Sequence, residues 1–161
     1  MKPEIAVTVA DRRWAPPVRR LARRAAAAAL GAARPEGGGA IAVLLTDDAA
    51  VKALNRRWRR IDRPTNVLAF PSGAGVVAPG QPAPLGDVAL AYETVAAEAL
   101  GQGKSIDAHL AHLVVHGVLH LVGYDHGDAA EEREMAALEV LVLGRLGYGD
   151  PYRPAGQAGA A

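Results

Sequence analysis

Residues 116–126 read HGVLHLVGYDH, and the rest of the chain is best read outward from them. His116 and His120 stand four residues apart, so on a helix their imidazoles lie one above the other on a single face and can share one ion. A helix cannot bring a third histidine to that ion. Gly123 offers the left-handed backbone conformation that stops a helix, and Tyr124 with Asp125 gives enough chain for His126 to turn back toward the pair. The spacing predicts a helix that ends at one metal ion per chain, held by His116, His120 and His126. Imidazole nitrogens in that number suit Zn2+.

The string H-x-x-x-H-x-x-G-x-x-H is the ligand spacing of the metzincin zinc proteases with one letter changed. Where those enzymes carry the Glu that serves as general base, this chain has Gly117, which cannot move a proton. Three imidazoles leave zinc a fourth position, at which the ion lowers the pKa of water toward ~7. All five histidines fall between residues 109 and 126. His109 and His112, a turn or more upstream, are read as packing residues, supports for the ligands or groove-facing groups, and not as ligands. Asp125 either orients a histidine by hydrogen bonding or caps the turn.

With 161 residues, the chain is long enough to bury one sizeable core without staples. The expected organisation is a single metallohydrolase domain over 1–149 and a disordered tail over 150–161. The absence of cysteine excludes disulfides and thiolate ligands, which leaves His, Asp, Glu and water for a transition metal. The first ten residues alternate without forming an apolar signal segment, and the alanine run at 25–29 is too short to span a bilayer. A cytoplasmic protein without membrane contact is expected.

The net charge of +1 conceals a split. Residues 1–70 hold 14 Lys and Arg against 6 Asp and Glu, and residues 71–161 hold 4 against 11. Eleven arginines form two clusters, 12–24 and 56–63, and the planar guanidinium fork suits phosphate oxygens. For the first cluster (Arg12, Arg13, Arg19, Arg20, Arg23, Arg24) a solvated helix face is an equal reading.

Alternation over 4–9 (EIAVTV) predicts a strand. Pro16 and Pro17 suit the first turn of a helix running to about residue 33, and AIAVLL at 40–45 reads as a central strand. Thr46 is expected to cap a helix over 47–58 whose buried stripe is Val51, Leu54 and Trp58. NVLAF at 66–70 and GDVALA at 86–91 read as hairpin-paired strands, joined by a Gly/Pro-rich loop over 71–84 that could act as a flap. Helices follow over 92–100, closed by Gly101; over the histidine segment to Leu121, capped by Ser105; and over 129–146, stopped by Gly147. The order βαβαββααα implies an α+β fold, one mixed four-stranded sheet with packed helices and a zincin-like metal helix.

The segment LNRRWRRIDRPTNVLAFP, 54–71, carries more polar specificity than a helix-to-strand connection needs. Asp62, Pro64, Thr65 and Asn66 form turns. Arg59 lies at a helix end just before a strand, from which a guanidinium can reach a groove and clamp a phosphate. Together with HGVLHLVGYDH and the string Leu85-Gly86-Asp87-Val88, this segment resembles the YbeY family of bacterial rRNA maturation factors, in the same order from about residue 40 to 147. Trp58 stands where the family usually has Tyr, and Ala69 where it usually has Ser.

The resemblance implies a zinc-dependent endoribonuclease of single-stranded RNA, with roles in forming the 3′ end of 16S rRNA and in ribosome quality control. It also implies that His116, His120 and His126 bind the metal and that Arg59, with His116, belongs to the active site. Arg56, Arg57, Arg60 and Arg63 are candidate RNA contacts. The expected partners are small-subunit rRNA and the ribosome, with a ribosomal protein or GTPase as further candidates, and not DNA. Two other readings compete: a zinc peptidase or amidase, which lacks its base at Gly117, and a non-catalytic ribosome assembly factor with a structural zinc.

Overall fold

The computed structural model describes residues 2–72, 79–125 and 127–153. Its elements follow the expected order: β1 (Glu4–Val9), α1 (Val18–Ala33), β2 (Ala40–Thr46), α2 (Asp48–Arg59), β3 (Val67–Pro71), β4 (Pro84–Ala91), α3 (Tyr92–Gly101), α4 (Ile106–Leu121) and α5 (Ala129–Arg145). The strands form one mixed sheet in the order β1-β2-β4-β3. β2 runs parallel to both its neighbours, and β3 pairs antiparallel with β4 and forms one edge. Residues 40–45 are thus central, and the two later strands pair as expected. Residues 73–78, within the loop expected to act as a flap, lie outside the described residues.

Period-two alternation divides the sheet into two unlike faces. Ile41, Val43, Leu45, Val88 and Leu90 join the large core with α1 and α4. Leu68, Ala89 and Ala91 point the other way, to a small cluster with Val51 and Leu54 of α2. α1 buries Ala22, Ala25, Ala26 and Ala29, side chains small enough for it to lie close along α4. α4 is buried on most sides. Gly117 faces the sheet so closely that a Cβ there would stand 2.8 Å from Val88 Cγ1.

The caps show how locally these helices are punctuated. Ser105 Oγ accepts from Ala108 N at 3.0 Å, as expected. At the other end of α4, Gly123 takes φ 105°; Tyr124 N donates to Leu119 O at 3.0 Å and Gly123 N to His120 O at 3.1 Å. These two bonds satisfy the last carbonyls and reverse the chain, the role expected of Gly123.

Three expectations are corrected. Asp47, not Thr46, caps α2, its carboxylate accepting from Ala50 N at 2.8 Å; Thr46 still belongs to β2. Trp58 is not in the buried stripe of α2 but 62% exposed, because the helix packs on the sheet through its earlier turns. Asn55 takes the inward place instead, donating to Arg63 O at 2.9 Å. Gly101 remains helical, and α3 reverses at Gly103 (φ 66°), with Lys104 N donating to Ala99 O. Among the described residues no helix is long and apolar enough to cross a membrane. Residues 150–153, the start of the expected tail, form a turn against the helices, and 154–161 lie outside the described residues.

Candidate active site

On α4, His116 and His120 stack as the four-residue spacing requires, and their Nε2 atoms face each other at 3.2 Å. The other nitrogen of His116, Nδ1, lies 2.9 Å from Glu139 Oε1 on α5. That carboxylate is completely buried. It also lies 3.1 Å from His112 Nε2 and accepts a very short hydrogen bond from the Tyr152 hydroxyl. Burial alone would raise the pKa of Glu139, but the bonds from His112, His116 and Tyr152 outweigh it and hold the carboxyl down at about 2. An ionised carboxylate can only accept, so Nδ1 of His116 carries the proton, and in the neutral ring the lone pair is then on Nε2. The Tyr152 hydroxyl is pushed upward by burial and by Glu139, so it stays a donor.

This donor set fits a metal ion on the Nε2 side. Two imidazoles on one tetrahedral zinc, at about 2.0–2.1 Å each, have nitrogens about 3.3 Å apart, close to the separation seen. A ligating histidine that donates its other ring N–H to a carboxylate is the recurrent second layer of such sites, fixing tautomer and ring orientation. A second grouping shares His116: His112, His116 and Glu139 have ligand atoms within 4.8 Å of one another and could also hold an ion. There Glu139 already accepts from three donors, whereas on the other side two ring nitrogens face each other. The Nε2 side is therefore the better metal position. His126, expected as the third ligand, lies outside the described residues, and Asp125 before it is exposed.

Beside this pair opens a cavity of about 750 Å³ lined by Asn66, Glu98, His109, His112, His116 and Tyr152, among others. His109 is buried and its Nε2 lies 2.9 Å from Glu98 Oε1, which also accepts from Asn66 Nδ2 at 3.0 Å. Burial, partly opposed by Glu98, lowers the His109 pKa. The two upstream histidines thus support the site: His109 ties α4 to α3 and the start of β3, and His112 shares Glu139 with His116. Lys104 Nζ donates to Pro151 O at 3.1 Å, holding the turn that presents Tyr152.

Arg59 stands apart. It lines a second cavity of about 650 Å³ with Trp58, Leu54, Phe70 and Asp87, on the α2 side of the sheet, and among the described residues the two cavities share no lining residue. β3 lies between them, with Val67 on the histidine cavity and Ala69, Phe70 and Pro71 on the other. Arg56, Arg57, Arg60 and Arg63 are exposed around the end of α2. Among the described residues none of these five arginines makes an ion pair, whereas Arg13 of the first cluster is bound to Asp11 and Glu93. Sequence reading missed Glu139. Its signal was a carboxylate in the apolar stripe Met135, Glu139, Val142, Leu143 of α5, where a charge is costly unless several donors meet it.

The fold and the sequence have known counterparts. The solution structure of TM1509 from Thermotoga maritima superposes with a TM-score of 0.57 at 23% identity, over 92% of this chain and 99% of that one. Endoribonuclease YbeY of Paramagnetospirillum magneticum is 57% identical over 114 residues, 69% of this chain and 70% of the relative. Endoribonuclease YbeY of Chelativorans sp. is 55% identical over 111 residues, 69% of this chain and 68% of the relative. The family described as Endoribonuclease YbeY matches residues 8–147, nearly the whole described chain. With its histidine helix, its mixed sheet and these relatives, the chain belongs to the YbeY family of endoribonucleases, hydrolases of RNA phosphodiester bonds.

Proposed function

We propose that this protein is a zinc-dependent endoribonuclease that cuts single-stranded RNA in 16S rRNA 3′-end maturation and ribosome quality control, in the cytoplasm and in contact with the ribosome. The observation that carries the metal reading is the pair of Nε2 atoms at 3.2 Å, with His116 Nδ1 tied to Glu139. His116, His120 and His126 would hold the ion, which supplies a Lewis acid and acidifies water toward pKa ~7. Glu139 keeps the proton on Nδ1 of His116 and so leaves the Nε2 lone pair directed toward His120 and the ion. Arg59, across β3, neutralises phosphate of the bound strand, a task for which its fork geometry suits it.

The peptidase reading loses ground on geometry as well as chemistry. The Gly117 position that would carry the base faces Val88, with no room for a Cβ. Metal analysis of the untagged chain should find one zinc, and single-stranded RNA ending in precursor rRNA sequence should be cleaved. His→Ala at 116, 120 and 126 should remove both metal and cleavage while the helices and sheet persist. Full cleavage by the triple variant would sink the metal reading. The product ends report the nucleophile: a 5′-phosphate with a 3′-hydroxyl means water attacked, and a 2′,3′-cyclic phosphate means the RNA's own 2′-hydroxyl did.

A further inference from the structure

The sheet face opposite the histidines is only partly covered. α2 overlies β3 and β4 through Val51 and Leu54, whereas Thr8 of β1 and Ala42 of β2 on the same face remain exposed. The groove of about 650 Å³ left there has a floor of small side chains and is walled by Trp58, Arg59 and Phe70. Trp58 is 62% exposed, an unusual cost for so large a ring unless something covers it. It stands 6.3 Å from the ring of Phe70 at an inclined angle, and Arg57 lies over it at 5.3 Å. The helix end that carries it is fixed by Arg60 in the left-handed conformation (φ 59°) and by the Asn55 bond to Arg63 O.

We infer that this groove is a stacking platform for single-stranded RNA, on which Trp58 and Phe70 take bases while Arg57, Arg59 and Arg60 follow the phosphates. The inference rests on the endoribonuclease reading and adds where the strand lies outside the cleavage site. Aromatic rings interleaved with arginines are what a single strand requires, since every base has a face to stack and every linkage a charge to meet. The five arginines, which make no ion pair among the described residues, supply the complementary charge. Asp87, exposed in the same groove, can accept from an exocyclic amine of a base. Only the edge strand β3 separates groove and histidine cavity, so a strand crossing that edge reaches both.

Trp58 offers its own probe. The chain's other tryptophan, Trp14, is buried with its indole N–H donated to Thr46 O. A short fluorescein-labelled oligouridylate should bind the full chain and quench tryptophan emission, and Trp58→Phe should abolish the quenching while keeping most of the affinity. Trp58→Ala should weaken binding about tenfold, and the dependence on salt should be unchanged, because the ring releases no counterions. Thermal melting should match the wild type, the side chain being exposed. Unchanged affinity in Trp58→Ala, or emission from Trp58 that RNA does not alter, overturns the platform and leaves the groove to a protein segment or to nothing. If the zinc-loaded wild type still cleaves the same RNA in that case, the endoribonuclease reading stands and the platform alone falls. If the wild type neither binds nor cleaves single-stranded RNA, both fall.

Discussion

Replacing Glu139 by Gln tests how the histidines are held. The carboxylate is fully buried and accepts from His112, His116 and Tyr152. Its pKa, about 2 against an ordinary 4.5, is depressed despite burial because those donors favour the ionised form. A carboxyl depressed on folding adds stability that is fully present above its unfolded pKa and is lost as pH falls through its folded one. For Glu139 that window runs from pH 4.5 down to about 2, and the gap is worth roughly 3 kcal/mol at about 1.36 kcal/mol per pH unit. Gln keeps the shape and one acceptor oxygen but no charge, and its amide nitrogen obliges the Tyr152 hydroxyl to turn and accept. Bonds worth about 1.5–3 kcal/mol each then become neutral ones worth about 0.5–1.5 kcal/mol. Part of the loss is returned because no charge stays buried.

Metal-free Glu139→Gln should therefore unfold in urea with about 2 kcal/mol less stability than the wild type at pH 7, and the difference should narrow as pH drops below 4.5. Its zinc affinity, measured by competition with a chromophoric chelator, should fall about 10–100-fold, the usual cost of losing a carboxylate behind a ligating histidine. A stability change below about 0.5 kcal/mol, the level of an ordinary surface substitution, together with unchanged zinc affinity would refute the orienting role. Complete loss of zinc in Glu139→Gln, matched by His112→Ala, would instead put the ion on the carboxylate side of His116.

Gly117→Ala should cost about 1–3 kcal/mol by overpacking against Val88, seen as a lowered melting temperature; a neutral result would mean α4 sits farther from the sheet. Gly117→Glu, which restores the protease letter, should yield misfolded protein, and chelator-sensitive casein hydrolysis by it would revive the peptidase reading. Asp47→Ala should lose about 1 kcal/mol through the α2 cap, measured by urea unfolding, and no loss would return the cap to Thr46. Arg59→Glu should weaken RNA binding and cleavage with zinc content unchanged; loss of zinc equal to that of His120→Ala would join the two cavities into one site.

The fold was legible wherever a local signal had no competitor. Alternation in EIAVTV, the apolar run AIAVLL and the Gly123 turn each correspond to one structure, and the antiparallel pairing of the two later strands followed from their hairpin spacing. The misplacements arose where neighbours offered the same chemistry. Thr46 and Asp47 can both cap a helix, and Gly101 and Gly103 both suit a helix end, so the choice between them waits on where packing stops the helix. Trp58 shows a different limit. Helical periodicity gives the direction of a side chain but not how far the covering sheet extends, and at the last turn of α2 Phe70 of β3 covers Trp58 only in part. At the site, the ligand spacing of α4 was legible because one helix carries it; the second layer was not, since Glu139 comes from α5 and Tyr152 from a turn beyond it.

That second layer bears on the chemistry itself. The position that would hold a protease's base is occupied by a glycine pressed on Val88, and the carboxylate nearest His116 comes from another helix with its oxygens already engaged. A carboxyl held at about 2 is too weak a base to take a proton near neutral pH, where efficient general bases have pKa values close to 7. Glu139 therefore orients His116 and does not shuttle protons. A site built this way has little to offer a peptide bond. RNA, with its own 2′-hydroxyl and a phosphate that arginines can hold, asks less of the protein.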